Sequence, residues 1–235
     1  MTTEGIRDSG FDATIEFQVP NPKSRIPRLN AILDVEAAAR AGWRPIDLAR
    51  AFLAGGATFL QLRAKTLPSG ALLELAEAMT GLARQARATL IVNDRADLAR
   101  LAGADGVHVG QDDLKPSAVR RIVGDAAIVG LSTHTVEQVE AAIREPVSYL
   151  AVGPVFGTTI KDTGYAAVGL SLVREAARIA RQAGVPLVAI GGITLDRAGP
   201  VIEAGAASVA VISDLLATGD PESRTRAFLE RLGTV

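Results

Sequence analysis

The sequence predicts a closed (β/α)8 barrel, the TIM-barrel arrangement, formed as a single domain. From Arg28 onward, short aliphatic and β-branched runs alternate with amphipathic Ala/Leu/Arg segments, the pattern of repeated βα units around a parallel sheet. Eight such runs occur, most of them followed by a segment of helical period. No Gly-x-Gly-x-x-Gly opens a first helix, which argues against a dinucleotide-binding sheet. A chain of 235 residues, 48% of them apolar, can bury one good core, and barrels of this kind use that whole length for one domain.

Taken in order, the first stretch to about Pro27 mixes Gly, Asp, Ser, Asn and Pro without a sustained period. Residues 1–27 therefore read as an N-terminal extension, expected to be flexible, ahead of a barrel over 28–235. The predicted strands are Leu29 to Leu33, Ala57 to Arg63, Thr89 to Asn93, Gly106 to Val109, Ala127 to Ser132, Ser148 to Val152, Pro186 to Ile190 and Ala207 to Ile212. A parallel barrel gathers the carboxyl ends of these strands on one face. Polar clusters follow them: Gln61-Leu-Arg63-Ala-Lys65, Asn93-Asp94-Arg95, Gly110-Gln111-Asp112-Asp113, Ser132-Thr-His134, Thr158-Thr-Ile-Lys161, Gly191-Gly192 and Ile212-Ser213. Cations, carboxylates and glycine turns brought together in this way suit a phosphate ligand bridged by a divalent metal.

Composition excludes other classes of partner. A net charge of −1 with interspersed signs gives no basic stripe, so nucleic acid and anionic membranes are not expected partners. With no cysteine there is no disulfide framework, thiolate metal site or cysteine nucleophile. Nothing resembles a signal peptide or an apolar span of bilayer length, and the expectation is a cytoplasmic protein. Homo-oligomerisation is left open.

The period of two assigns faces within each strand. Phe59, Gln61, Arg63 and Lys65 share one face, while Leu60 and Leu62 pack on the outer helices. Two cations at the barrel mouth call for an anion, either Asp94 or Asp113 in an internal ion pair or a bound phosphate. Asn93-Asp94 and Asp112-Asp113 each sit at a strand-to-helix turn, where Asx residues serve either as N-caps or as carboxylate ligands that share one Mg²⁺. His108 alternates with Val107 and Val109 and faces inward as a hydrogen-bonded, barrel-filling residue. Ser132 has no histidine base recognisable by spacing, so it is not read as a nucleophile, and Thr135 with Gln138 forms a capping box for the helix that follows. Gly191-Gly192 ahead of a Thr194 N-cap, and Ile212-Ser213-Asp214, occupy the loops that form the usual phosphate site of this fold.

From about Leu29 to its end the chain resembles thiamine-phosphate synthase. The resemblance rests on Gln61-x-Arg63-x-Lys65, Asn93-Asp94, Gly110-Gln-x-Asp113, Gly130-x-Ser132-x-His134, Gly153-Pro-x-Phe156-x-Thr158-x-x-Lys161, Gly191-Gly192-Ile193 and Ile212-Ser213, in the family's order. It implies a barrel that joins hydroxymethylpyrimidine diphosphate to a thiazole phosphate, or its carboxylated form, with release of pyrophosphate. It further implies pyrimidine-diphosphate contacts at Gln61, Leu62, Arg63, Ala64, Lys65, Asn93, Ser132 and Lys161, and Mg²⁺ ligands at Asp94 and Asp113. The thiazole phosphate falls to Thr158, Thr159, Ile160, Gly192, Ile212 and Ser213, while Arg63, Lys65, Lys161 and Ser132 carry the catalytic roles.

Two positions depart from the family's pattern. Ile160 stands where a second threonine is common, and Asn30 where an aromatic is common near the end of the first strand. The alternatives are a thiazole tautomerase, which resembles the synthase in fold but lacks parts of the diphosphate and metal machinery, and a noncatalytic barrel that binds thiazole phosphate.

Overall fold

The computed structural model describes residues 26–157 and 166–233. Apart from Ile26 and Pro27, the predicted N-terminal extension lies outside these residues. The described chain runs β1 (Leu29–Asp34), α1 (Val35–Arg40), α2 (Pro45–Ala54), β2 (Phe59–Arg63), α3 (Ser69–Gln85), β3 (Thr89–Asn93), α4 (Ala96–Leu101), β4 (Gly106–Val109) and α5 (Pro116–Val123). It continues through β5 (Ile128–Thr133), α6 (Val136–Ala142), β6 (Tyr149–Val152), α7 (Gly169–Gln182), β7 (Leu187–Ile190), α8 (Leu195–Glu203), β8 (Ser208–Val211), a 3-10 turn (Ser213–Leu215) and α9 (Pro221–Arg231).

The strands pair in chain order, all parallel, and β1 closes the ring on β8 through Leu29 opposite Val209 and Ala31 opposite Val211. Each predicted strand is present, with small differences at the ends. Ala57 was expected to begin β2, yet its N–H donates to Phe52 O at 3.0 Å while Gly56 takes φ +97°. The residue therefore closes α2 and does not extend the ladder.

Alternation along the strands divides the core in two. Leu60 and Leu62 join Leu33, Leu90 and Val107 beneath the helices, whereas Ile32, Phe59, Ile91, Tyr149 and Val188 fill the barrel interior. These faces are the ones the period of two assigns to β2. Buried aliphatic side chains at this density supply the dominant favourable contribution to folding. The polar ends of the strands are thus held on a rigid platform.

Helix starts show which polar residues are structural. Asp34 caps α1, its Oδ1 accepting from Ala37 N at 2.8 Å. Thr135 Oγ1 accepts from Gln138 N as the expected capping box requires, but Gln138 Oε1 accepts from His134 N at 2.7 Å, one residue before the cap. Thr194 stands at the N-cap of α8 but makes no side-chain cap bond. Asp214 supplies that acceptor from the 3-10 turn, taking the Leu195 N–H at 3.0 Å on the oxygen that also binds Arg224.

Candidate active site

Strands β1 to β3 deliver the charged part of the site. Arg63 and Asp34 are register partners on β2 and β1, and Arg63 Nη1 donates to Asp34 Oδ2. Both side chains are buried or nearly so, at 13% and 1% exposure, which suits an ion pair whose carboxylate is also satisfied by a helix cap. Two residues past the end of each strand, a second acidic residue, Glu36 in α1, meets the loop after β2. Glu36 Oε1 accepts from Lys65 N at 3.1 Å, Thr66 N at 3.0 Å and Thr66 Oγ1 at 2.7 Å, fixing the loop that carries Lys65. Burial pushes the Glu36 carboxyl up, but the bonds from Thr66 and the neighbouring amides together hold it below its ordinary value.

Lys65 Nζ donates to Asp94 Oδ2. Asp94 is not an N-cap: α4 begins at Ala96, and Asp94 has φ +62°, a left-handed conformation that costs about 1 kcal/mol or more for a non-glycine residue. That backbone turns its carboxyl toward Asp113. Burial raises the Asp94 carboxyl above its ordinary value, Lys65 opposes the rise, and a hydrogen bond and charge repulsion from Asp113 reinforce it. Asp113 is also oriented locally, its Oδ2 accepting from Gly110 N at 2.7 Å. Two carboxyls thus meet at the strand ends, in a place where like charges raise each other's cost.

Inside the mouth, amides line up across three strands. Asn30 Nδ2 donates to Gln61 Oε1 at 3.4 Å, and Gln61 Nε2 donates to Asn93 Oδ1 at 2.9 Å. Asn30, at 1% exposure, thus lies at the base of this chain and orients Gln61. Across the cavity, Ser132 Oγ lies 2.8 Å from His108 Nε2, and Gln111 Nε2 donates to the Ser132 carbonyl. His134, a member of the same motif as Ser132, reaches the Gly153 carbonyl through Nδ1.

The opposite wall belongs to β6 to β8. Phe156 N donates to Gly191 O and Val155 N to Ile190 O, both at 2.9 Å, which joins the loop after β6 to the turn after β7. Gly192 has φ +62°, and a Cβ there would stand 2.5 Å from Gly157 O, so only glycine brings the backbone this close. Arg197 brackets the turn, donating to Gly192 O at 2.9 Å and lying 4.6 Å from the Phe156 ring centroid.

One cavity at the carboxyl ends of the strands is bordered by Gln61, Arg63, Asn93, Ser132, Gly192 and Ser213, with Ile212 beside them. Lys65, Asp94 and Asp113 stand together at its β2–β4 rim through the contacts above. Two expected contact residues behave differently. Leu62 is fully buried among the outer helices and Ala64 packs half-buried against the same layer, because odd and even positions of β2 face opposite ways. Their side chains point away from the cavity. Thr158, Thr159, Ile160 and Lys161 lie outside the described residues.

Several site residues escaped the sequence reading. Asp34 and Glu36 were not singled out as partners for Arg63 and Lys65, although the inward period Asn30, Ile32, Asp34 was available as a signal. The pairing of His108 with Ser132 was also missed, being a contact between strands 24 residues apart. No short-range spacing reports it.

Comparison with known proteins agrees with this geometry. The family model for thiamine monophosphate synthase matches residues 31–215. A thiamine-phosphate synthase of Roseiflexus castenholzii is 47% identical over 185 residues, 79% of this chain and 80% of that one. One from Thermus thermophilus is 45% identical over 196 residues, covering 82% and 93%. Among solved structures, thiamine phosphate pyrophosphorylase from Pyrococcus furiosus superposes with a TM-score of 0.78 at 29% identity, covering 88% of this chain and 95% of that one. The match spans strands β1 to β8 and the charged rim alike, and this chain belongs to the thiamine monophosphate synthase family.

Proposed function

We propose that this chain is a thiamine-phosphate synthase, a transferase that joins hydroxymethylpyrimidine diphosphate to thiazole phosphate, or its carboxylated form, and releases pyrophosphate with the help of Mg²⁺. The observation that carries the reading is the charged end of β2 to β4: Lys65 pairs with Asp94 of the Asp94–Asp113 carboxyl pair, and Arg63, held by Asp34, borders a cavity lined by amides. An isomerase or a simple phosphate-binding barrel has no use for both a carboxylate pair and a cation pair placed for a polyphosphate.

The residues divide the work by position. Gln61 and Asn93, fixed to each other, face the pyrimidine with Ser132 opposite. Arg63 and Lys65 meet the diphosphate, joined by Lys161 on the strength of the family resemblance. Gly192, Ile212 and Ser213 border the thiazole phosphate's end of the cavity. In the reaction the bond from the pyrimidinylmethyl carbon to the diphosphate oxygen breaks, and its electron pair leaves with pyrophosphate. The thiazole nitrogen then gives its lone pair to that carbon; with the carboxylated form, the carboxyl group also leaves as CO₂ and a proton takes its place. This nitrogen carries no proton to lose, so the site needs no general base; it needs cations where charge grows on the leaving group.

The donor set also suits Mg²⁺. Asp94 and Asp113 offer hard oxygens, and among the described residues no third His, Cys, Asp or Glu completes a closed cage. The remaining positions fall to water and substrate phosphate, as Mg²⁺ prefers. When bound there, Mg²⁺ would neutralise charge on the diphosphate oxygens. Among the described residues no helix is long and apolar enough to cross a membrane.

The deciding assay supplies both substrates with Mg²⁺ and follows thiamine phosphate and pyrophosphate together. Equal formation of both is expected. Saturable binding of thiazole phosphate without pyrophosphate release would replace the transferase with a binding protein, and isomerisation of the thiazole would favour a tautomerase.

A further inference from the structure

We propose that Tyr149 and His108 are positioning residues that fix the direction of the Ser132 hydroxyl, making it a hydrogen-bond donor to an acceptor atom of the pyrimidine diphosphate. The identity of that ligand rests on the function proposed above. The direction of the hydroxyl does not.

Three adjacent strands place these side chains in contact inside the barrel. His108 on β4 has Nε2 2.8 Å from Ser132 Oγ on β5, and Nδ1 2.9 Å from the Tyr149 hydroxyl on β6. The imidazole and phenol rings stack at 5.5 Å with 24° between planes, and Phe59 meets Tyr149 edge-on at 6.0 Å. Gly130 makes the room. A Cβ there would lie 2.2 Å from Tyr149 Cζ and 2.4 Å from His108 Nδ1, so the contact needs a residue without a side chain at this point of β5.

Protons can be assigned along this chain by satisfaction. Tyr149 is fully buried, and burial pushes its phenol far above the ordinary value, so it keeps its O–H at any working pH. A buried hydroxyl donor left without an acceptor costs about 1–3 kcal/mol. Among the described residues, the acceptor within reach of Tyr149 is His108 Nδ1. That nitrogen must then be unprotonated, and a neutral imidazole carries its proton on the other one. Nε2–H donates to Ser132 Oγ. With one lone pair of that oxygen taken by His108, the Ser132 O–H does not point at the imidazole and is free to turn into the cavity that Ser132 lines.

The consequence separates this pair from a nucleophile and its base. A serine beside a histidine usually gives the histidine its proton, but here the accepting nitrogen is already occupied by Tyr149. The site therefore leaves the Ser132 O–H available to an acceptor on the ligand, a hydrogen that a conventional serine–histidine pair would engage.

The chain has two histidines, so ¹⁵N-histidine labelling of the full-length protein gives a spectrum assignable with His134→Gln alone. The expected result for His108, without substrate and at neutral pH, is the Nε2–H tautomer; in Tyr149→Phe this preference is lost. An Nδ1–H tautomer in the unsubstituted protein overturns the proposal whatever the protein catalyses. In the activity assay, Tyr149→Phe should lower kcat/KM for the pyrimidine diphosphate by about 2- to 13-fold, the value of one neutral hydrogen bond. The same substitution in a Ser132→Ala background should cost nothing further. An equal loss in both backgrounds would assign Tyr149 to packing and overturn the proposal. Absence of any thiamine phosphate from the unsubstituted protein would instead count against the proposed function and leave the tautomer result standing.

Discussion

Arg63 and Asp34 face each other across β1 and β2 as register partners, and the carboxylate that holds the guanidinium also caps α1 through its second oxygen. One aspartate thus ties the orientation of a site cation to the start of a helix. Since the Asp34 side chain is 1% exposed, its charge is stabilised by these two contacts and little by water.

Asp34→Asn should therefore damage both stability and rate. The amide oxygen can still accept from Ala37, so the cap survives, but Arg63 loses its charged partner. We expect a stability loss of about 1–3 kcal/mol and a turnover loss of about 10- to 10²-fold, because a misplaced cation acts poorly on a leaving group. Urea unfolding and single-turnover rates check the two effects. A variant with full turnover would show that Arg63 needs no anchoring.

Asp94→Asn should separate function from stability. Burial and the Asp113 contact both raise the cost of the Asp94 carboxylate, so the neutral amide should leave the unfolding midpoint unchanged or higher. Turnover should fall by about 10²-fold or more if the pair holds Mg²⁺ beside the diphosphate. Excess chelator should abolish the activity of the unsubstituted protein. Full activity in chelator, or in the Asp94→Asn/Asp113→Asn protein, removes the metal from the mechanism.

Much of this site was legible from sequence because barrel strands obey a strict period. Gln61 and Arg63 face the cavity and Leu60 and Leu62 the helices as alternation requires. What stayed hidden was pairing between strands. The contacts of Asp34 with Arg63 and of His108 with Ser132 join residues 29 and 24 apart, and depend on which side chains the register brings level. Thr194 shows the same limit at a helix end: its position was readable, but the acceptor used there is Asp214, from another strand's loop. Asn30 looked like a lost aromatic. In the folded chain it orients Gln61, a role visible only once the two strands are paired.

Asp105 offers a test of electrostatics away from the site. Its Oδ2 accepts from Leu90 N at 2.7 Å, and burial pushes its carboxyl above the ordinary aspartate value despite that bond and the pull of Arg84. A carboxyl with a raised folded-state pKa takes up its proton in the folded protein first, so the folded state gains stability as pH falls through that value. Above it, the carboxylate carries a desolvation cost. Asp105→Asn keeps an acceptor for Leu90 and removes that cost, so at pH 7 the variant should be as stable as the unsubstituted protein or slightly more so, by about 1 kcal/mol or less. As pH is lowered toward the ordinary aspartate range, the unsubstituted protein should gain on the variant. Urea midpoints of both proteins between pH 7 and pH 4 measure this, and a difference that stays constant with pH, or widens in the variant's favour as pH falls, refutes it.

Gly192 connects backbone geometry to one substrate. Its φ of +62° and the 2.5 Å approach a Cβ would make to Gly157 O mean that alanine must shift the loop after β6 or the turn after β7. Both border the end of the cavity assigned to thiazole phosphate. Gly192→Ala should therefore raise the KM for thiazole phosphate at least about tenfold, since a shifted turn misplaces groups around a phosphate, while the KM for pyrimidine diphosphate changes little. Gly219→Ala is the control: it has φ +76° but nothing within 4 Å, so it carries the left-handed strain without the clash. Strain alone should lower stability by about 1–2 kcal/mol in either variant and leave the two KM values in proportion. Equal changes in both KM values for Gly192→Ala, or a selective change in Gly219→Ala, would detach the β7 turn from the thiazole phosphate.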